Sequence, residues 1–203
     1  MKAISTFLAL VLVCAACYPT AGASGVAVGK PAPAFSLKDA DGKTHSLADF
    51  KGKYVVLEWV NYECPFVKKH YDTANMQKLQ KEFTAKGVVW LSINSSAPGK
   101  QGHFPPERIN ALMKEKGAAP TAYLIDSDGT VGKLYGAKTT PHMYIIDPQG
   151  NLIYMGAIDD KPSTEKADVE TARNYVRAAL EEALSGKPVS VVTTQPYGCS
   201  VKY

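Results

Sequence analysis

A chain of 203 residues with 45% hydrophobic and 21% charged residues has the balance of a folded globular protein, not of a disordered or collagen-like one. The formal charge of +4 is thinly spread, with no basic cluster richer than Lys51/Lys53 or Lys68/Lys69, which argues against nucleic acid as a partner. Neither a phosphate loop nor a dinucleotide fingerprint occurs, so no organic cofactor is expected.

The first segment reads as an export signal. Lys2 precedes the apolar run Ala3–Val13, and a stretch of small residues ends in Ala21-Gly22-Ala23, an A-x-A cleavage pattern. The run is too short to span a bilayer, which takes roughly 20 apolar residues. A second processing pattern overlaps it. Ala15-Ala16-Cys17 resembles the end of a lipoprotein signal, with Cys14 where Leu is usual, so membrane attachment by lipidation at Cys17 ranks second. The expectation is a signal peptide over 1–23, a single domain over 24–188 and a tail over 189–203, in a periplasmic or extracellular protein. Of four cysteines, Cys14 and Cys17 fall in the signal, which leaves Cys64 and Cys199 as a pair of thiols in an oxidising compartment.

After a proline-stiffened lead-in at Val28–Pro33, Phe35–Leu37 and Thr44–Leu47 flank the turn Asp39-Ala40-Asp41-Gly42 and predict a β-hairpin. Tyr54–Val60 is a nearly continuous apolar run, as in a strand buried on both faces. Cys64-Pro65 follows, and a helix is expected from Pro65 towards Phe83 with Met76, Leu79 and Phe83 facing the core. Gly87 ends it before a second buried strand, Val88–Asn94; strand–helix–strand implies parallel pairing with a right-handed crossover. A loop to Phe104, a helix over Pro106–Lys116, a strand over Ala122–Ile125 and a helical turn at Val131–Tyr135 come next. Met143–Ile146 and Leu152–Met155 flank Asp147-Pro148-Gln149-Gly150-Asn151 as an antiparallel hairpin. A last helix is expected over about Glu165–Leu184, with an apolar stripe of Ala172, Val176, Ala179, Leu180, Ala183 and Leu184.

The chemistry gathers at one place in this order. Cys64 sits between the first long buried strand and its helix, where the helix N-terminus favours a thiolate. Glu58 lies six residues earlier, flanked by Leu57 and Trp59, and Thr140-Pro141 precedes the next-to-last strand. With the order β-α-β, helix, β-β-α, these marks resemble the thioredoxin superfamily from about Val26 to Gly186. Lys30–Leu37, Asp41-Gly42-Lys43 and Leu47–Lys53 are similar to its redoxin branch, the alkyl hydroperoxide reductase/thiol-specific antioxidant proteins. Cys64-Pro65-Phe66-Val67 and Gly198-Cys199-Ser200-Val201-Lys202 are similar to a peroxiredoxin-like group within that branch.

The resemblance implies an α/β thioredoxin fold, a central mixed sheet flanked by helices with an N-terminal β-hairpin. It implies a catalytic set of Cys64, Cys199, Glu58 and Pro141: a nucleophilic Cys64, a buried Glu58 that moves protons, and a cis Pro141 packed beside the active sulfur. Cys199 either resolves an oxidised Cys64 or staples the tail to the domain. Asn61, Tyr62 and Glu63 would line the approach. The chain also departs from the patterns of the families it resembles. Val67 replaces the second cysteine of C-x-x-C, and Leu57 and Asn61 stand where peroxiredoxins carry Pro and Thr/Ser. None of the three arginines, Arg108, Arg173 and Arg177, can be assigned to a peroxide. His70 and His103 read as surface or packing residues. His142 beside Pro141 would allow a copper or zinc set with the two thiols, although Lys68 replaces the second cysteine of C-x-x-x-C copper carriers.

The expected function is an extracytoplasmic thiol-disulfide oxidoreductase or peroxiredoxin-like antioxidant. Its partner would be a thiol or disulfide protein, or a small peroxide, without a metal. The alternative is a non-enzymatic scaffold with a structural Cys64–Cys199 disulfide, binding copper or a protein.

Overall fold

The computed structural model describes residues 26–203, so the expected signal segment and Cys17 lie outside the described residues. A seven-stranded mixed sheet forms the centre. Its strands are β1 (Ser36–Asp39), β2 (Thr44–Ser46), β3 (Val55–Trp59), β4 (Val89–Asn94), β5 (Ala122–Ile125), β7 (His142–Ile146) and β8 (Leu152–Gly156), in the spatial order β2-β1-β5-β4-β3-β7-β8. β3, β4 and β5 are parallel, whereas β7 runs antiparallel to β3, and the β1–β2 hairpin joins the sheet through β5. A separate pair of two-residue strands, β6 (Thr139–Thr140) and β9 (Cys199–Ser200), ties the tail to the loop before β7.

Side chains of a strand point alternately to the two faces of a sheet, and this divides the core in two. Val56, Trp90, Tyr123, Met143, Ile145 and Tyr154 pack with Val67, Met76, Phe83, Ile109 and Leu180 on one face. Val55, Leu57, Trp59, Leu91, Ile93, Tyr144 and Ile146 pack with Phe35, Val131 and Tyr135 on the other. Burial on both faces is why β3 and β4 lack the alternation of a surface strand.

Two helices differ from expectation. The helix expected from Pro65 to Phe83 is two, α1 (Pro65–Asp72) and α2 (Asn75–Ala85), divided by Ala74 in the left-handed region at φ 59°. Side chains satisfy the carbonyls freed at the break. Thr73 Oγ1 bonds Lys69 O at 2.8 Å and His70 O at 3.3 Å, and Gln77 Nε2 bonds Tyr71 O at 2.7 Å. α3 (Pro106–Lys116) and α4 (Thr130–Tyr135) fall where expected. The last helix again breaks, into α5 (Asp168–Thr171) and α6 (Tyr175–Leu184). Ala172 is extended between them instead of joining the apolar stripe, and Leu184 is exposed. The break admits a bridge between Asp159 and Asn174, and Asn174 caps α6 by accepting Arg177 N–H at 2.8 Å. Asn174→Ala should therefore lower the unfolding free energy by about 1 kcal/mol in urea titration.

Candidate active site

Cys64 is the N-cap of α1, at the end of a turn built by its neighbours. Asn61 Oδ1 accepts Glu63 N–H at 2.9 Å, and Cys64 N–H closes the turn on Asn61 O at 3.0 Å. The three residues expected to line the approach thus divide. Asn61 and Tyr62 are buried and structural, whereas Glu63 is exposed and receives Gly102 N–H at 2.7 Å. Pro65 follows at the first helical position, and no side chain caps the helix, so the open N–H groups of the first turn face the Cys64 side.

The two distant thiols meet here. Cys64 Sγ lies 2.6 Å from Cys199 Sγ across 135 residues of sequence, and 3.1 Å from Thr140 O. Both cysteines are free, with Cys64 fully buried and Cys199 half-buried. The Thr140–Pro141 bond is cis, and Pro141 follows directly on the residue whose carbonyl touches the nucleophile candidate. Cys199 is placed by backbone pairing with Thr140, its register partner in β6–β9. The close crossing needs Gly198, which sits at φ 140° where a Cβ would overlap the Thr140 carbonyl. Burial, then the bond and charge of Cys64, push the Cys199 thiol up to about 12.

Glu58 lies on β3, pointing to the α1/α2 face with no exposure. Its carboxylate accepts four hydrogen bonds: Tyr71 OH at 2.8 Å, Trp90 Nε1 at 2.8 Å, Ser92 Oγ at 2.9 Å and Gln80 Nε2 at 3.1 Å. Neither sulfur is among these partners. Burial raises its pKa above the ordinary 4.5 against the pull of those four donors.

The histidines and arginines are occupied elsewhere. His142 Nδ1 stands 3.1 Å from Tyr144 OH, its ring lies against the Tyr144 ring, and burial lowers its pKa to about 4. His103 Nδ1 lies 3.3 Å from Ser96 O. No group of three or more His, Cys, Asp or Glu is placed to hold a metal among the described residues. Arg108 pairs with Glu115, Arg177 with Glu82 and Glu181, and Arg173 stacks over Tyr175.

A second buried polar group adjoins the thiols, and nothing in the pattern of residues marks it. Lys69 and His70 of α1, Asp159 after β8 and Tyr197 of the tail converge. Lys68 and Lys69 look alike as a basic pair; only the helical phase of α1 sends Lys69 inward and leaves Lys68 exposed.

The model of the AhpC/TSA family matches residues 28–155. The chain belongs to the AhpC/TSA family. Its relatives include the thiol-disulfide oxidoreductase ResA of Bacillus subtilis, 30% identical over 155 residues that cover 74% of this chain and 81% of ResA. An uncharacterised conserved protein of Geobacillus kaustophilus, solved as a crystal structure, is 31% identical with a TM-score of 0.74, over 89% of this chain and 94% of that one. The thioredoxin domain of a thiol-disulfide oxidoreductase from Bacteroides vulgatus shares the fold at 24% identity and a TM-score of 0.53, over 72% of this chain and 98% of that domain. This AhpC/TSA member thus has the thioredoxin fold expected of it, and its mixed sheet extends to seven strands through the N-terminal hairpin.

Proposed function

We propose that this AhpC/TSA protein is an exported thiol-disulfide oxidoreductase in which Cys64 is the nucleophile and Cys199 the resolving thiol. The observation that carries the reading is the meeting of the two sulfurs at the N-terminus of α1, beside the Thr140 carbonyl. A helix start presents oriented N–H groups that suit a nucleophilic cysteine, and burial beside Cys64 raises the pKa of the Cys199 thiol.

In the reducing direction, the Cys64 thiolate attacks one sulfur of a partner's disulfide. A Cys64–partner bond forms, the partner bond breaks, and the leaving thiolate takes up a proton. Cys199 then loses its proton and attacks Cys64 Sγ, releasing the second partner thiol. The partner gains two electrons, the Cys64–Cys199 disulfide holds the oxidised state, and an external dithiol restores it. The same steps reversed oxidise a partner dithiol. Glu58, buried and raised in pKa, is assigned the proton store, and Pro141 the shaping of the loop that presents Thr140.

A disulfide suits this site better than a peroxide. All three arginines are engaged away from Cys64, and Asn61 at the peroxidatic Thr/Ser position is spent on the turn. Export rests on the pattern in residues 1–23. No helix among the described residues is long and apolar enough to cross a membrane.

The test is Cys199→Ser incubated with insulin or another disulfide protein. The variant should stop at a stoichiometric mixed disulfide through Cys64, visible by intact mass, while the wild type turns over with dithiothreitol. Wild-type turnover in the variant would remove Cys199 from the mechanism. No exchange even in the wild type would favour the scaffold.

A further inference from the structure

Cys199 is carried on an arm of the C-terminal tail, and Cys64 Sγ beneath it has no exposure. The arm is anchored along its length. Val192–Thr194 run beside β8, with Met155 N–H donating to Val192 O at 3.1 Å and Thr194 N–H to Met155 O at 3.2 Å. Beyond Cys199, Val201 N–H donates to Lys138 O at 3.1 Å, Ala97 N–H to Lys202 O at 2.8 Å and Tyr203 OH to Ala137 O at 2.8 Å. Thr194 Oγ1 adds bonds to the buried Tyr154 OH at 2.7 Å and to Ala157 N–H at 2.9 Å, so these anchors are neutral hydrogen bonds, mostly to backbone. The anchor at Tyr197 differs in kind.

Tyr197 inserts its hydroxyl among Lys69, His70 and Asp159, each no more than 2% exposed. The hydroxyl donates to Asp159 Oδ1. It accepts from Lys69 Nζ at 3.4 Å and lies 3.3 Å from His70 Nε2. Asn75 Nδ2 approaches His70 Nδ1 at 2.9 Å, which assigns the ring proton to Nε2 and makes that nitrogen the donor to Tyr197. Asp159 Oδ2 has no hydrogen-bond partner among the described residues and faces Lys69 Nζ and His70 Nε2, each at 3.9 Å. Lys69 Nζ also donates to Lys161 O at 2.8 Å. The Tyr197 ring meets Phe66 edge-on at 5.8 Å and lies under Lys69 Nζ at 5.3 Å. Phe66, Lys69 and His70 all belong to α1, the helix that Cys64 begins.

A buried charged group whose hydrogen bonds converge on one tyrosine of a surface tail loses more than a packing contact when that tyrosine leaves. Only Gly198 separates Tyr197 from Cys199, so the hydroxyl fixes the arm on one side of the sulfur and the β6–β9 pairing fixes it on the other. We propose that Tyr197 is a positioning residue for the resolving step, a latch whose buried hydroxyl holds Cys199 over Cys64. Closed, it raises the effective concentration of Cys199 at Cys64 and shields the nucleophile; open, it admits the partner's disulfide. This rests on the assignment of Cys64 and Cys199 made above. The step it serves is the attack of Cys199 on Cys64 Sγ, in which the partner's thiolate leaves with the electron pair of the broken bond.

Tyr197→Phe keeps the ring on Phe66 and removes only the hydroxyl. Two readouts should move in opposite directions. In a Cys199→Ser background, alkylation of Cys64 by iodoacetamide should quicken about tenfold when Tyr197→Phe is added, the effect of losing one hydrogen bond to a charged group. With Cys199 present, the equilibrium constant for closing the Cys64–Cys199 disulfide against glutathione should fall about tenfold. A variant that merely loosened the fold would move both readouts the same way as Tyr197→Phe, so Ile93→Val, which lowers stability from the opposite face of the sheet, is the control and should leave both within twofold. Asp159→Asn, which leaves the hydroxyl an acceptor but removes the charge, should move both the same way and less. Tyr203→Phe, which loosens the end of the arm, should change either by no more than about threefold. Both readouts staying within twofold in Tyr197→Phe, or Tyr203→Phe matching it, would overturn the latch. The alkylation arm needs no turnover, so its failure is separable from that of the oxidoreductase reading, which falls only if the wild type cannot exchange disulfides.

Discussion

Cys64→Ser should reduce disulfide exchange by more than about 10³-fold while leaving the far-ultraviolet spectrum unchanged. A serine hydroxyl at an N-cap stays protonated at neutral pH, is a poor nucleophile and forms no disulfide, so neither the mixed disulfide nor its resolution by Cys199 can occur. The fold should tolerate the change, because Ser is a good N-cap and Cys64 makes no side-chain capping bond that would be lost. The assay is dithiothreitol-dependent reduction of insulin, with the same protein examined by circular dichroism. Retained activity in a correctly folded Cys64→Ser protein would transfer the chemistry away from this sulfur. Cys199→Ser differs in kind, since it halts after one covalent event.

The second large effect concerns stability. Glu58→Leu removes the acceptor of four buried donors. The Tyr71 and Ser92 hydroxyls can turn to other partners and Gln80 Nε2 keeps the Tyr71 hydroxyl at 3.0 Å, but Trp90 Nε1 is left with no acceptor. The loss should be about 3–5 kcal/mol, read as a shift of the urea midpoint at constant slope. Glu58→Gln can keep the oxygen towards Trp90, Ser92 and Gln80 and turn its amide to Tyr71, so it should cost no more than about 1 kcal/mol.

The same pair of proteins tests the charge. A carboxyl whose pKa is raised on folding binds a proton more tightly in the folded state. Its contribution is complete below the ordinary value of 4.5 and is lost as pH rises through the raised one. Wild-type stability relative to Glu58→Gln should therefore be greatest in acid and decline with rising pH; a difference that grows with pH would mean the carboxylate is stabilised, not strained, by its site. If Glu58 is the proton store for the thiols, Glu58→Gln should also slow exchange roughly 10²-fold near neutral pH.

Much of the architecture was legible because it rests on local rules. The apolar runs Val55–Trp59 and Val89–Asn94 had to be strands buried on two faces, and Pro106, Gly117 and Gly136 mark helix ends where the structure has them. Cys64-Pro65 after a buried strand predicted the N-cap position that Cys64 occupies. Glu58 between Leu57 and Trp59 predicted burial, though not its partners, which come from α1, α2 and β4.

The two helix breaks were illegible for a shared reason. At Ala74 and Ala172 the sequence has no Pro or Gly, and helical spacing continues across both points. The breaks are held by bonds from side chains and strands brought in by folding: Thr73 and Gln77 onto α1, and the bridge from Asp159 to Asn174.

Hydrophobic periodicity, turn residues and the placement of Cys64 thus determined the layers of this protein and the end of the sheet where its chemistry lies. Only the tertiary structure decided that Cys199 reaches Cys64 and that Lys69, His70 and Asp159 close around Tyr197. Local patterns encode which face of an element is apolar. Contacts across 135 residues depend on where several elements come to rest together, and no short stretch of sequence carries that sum.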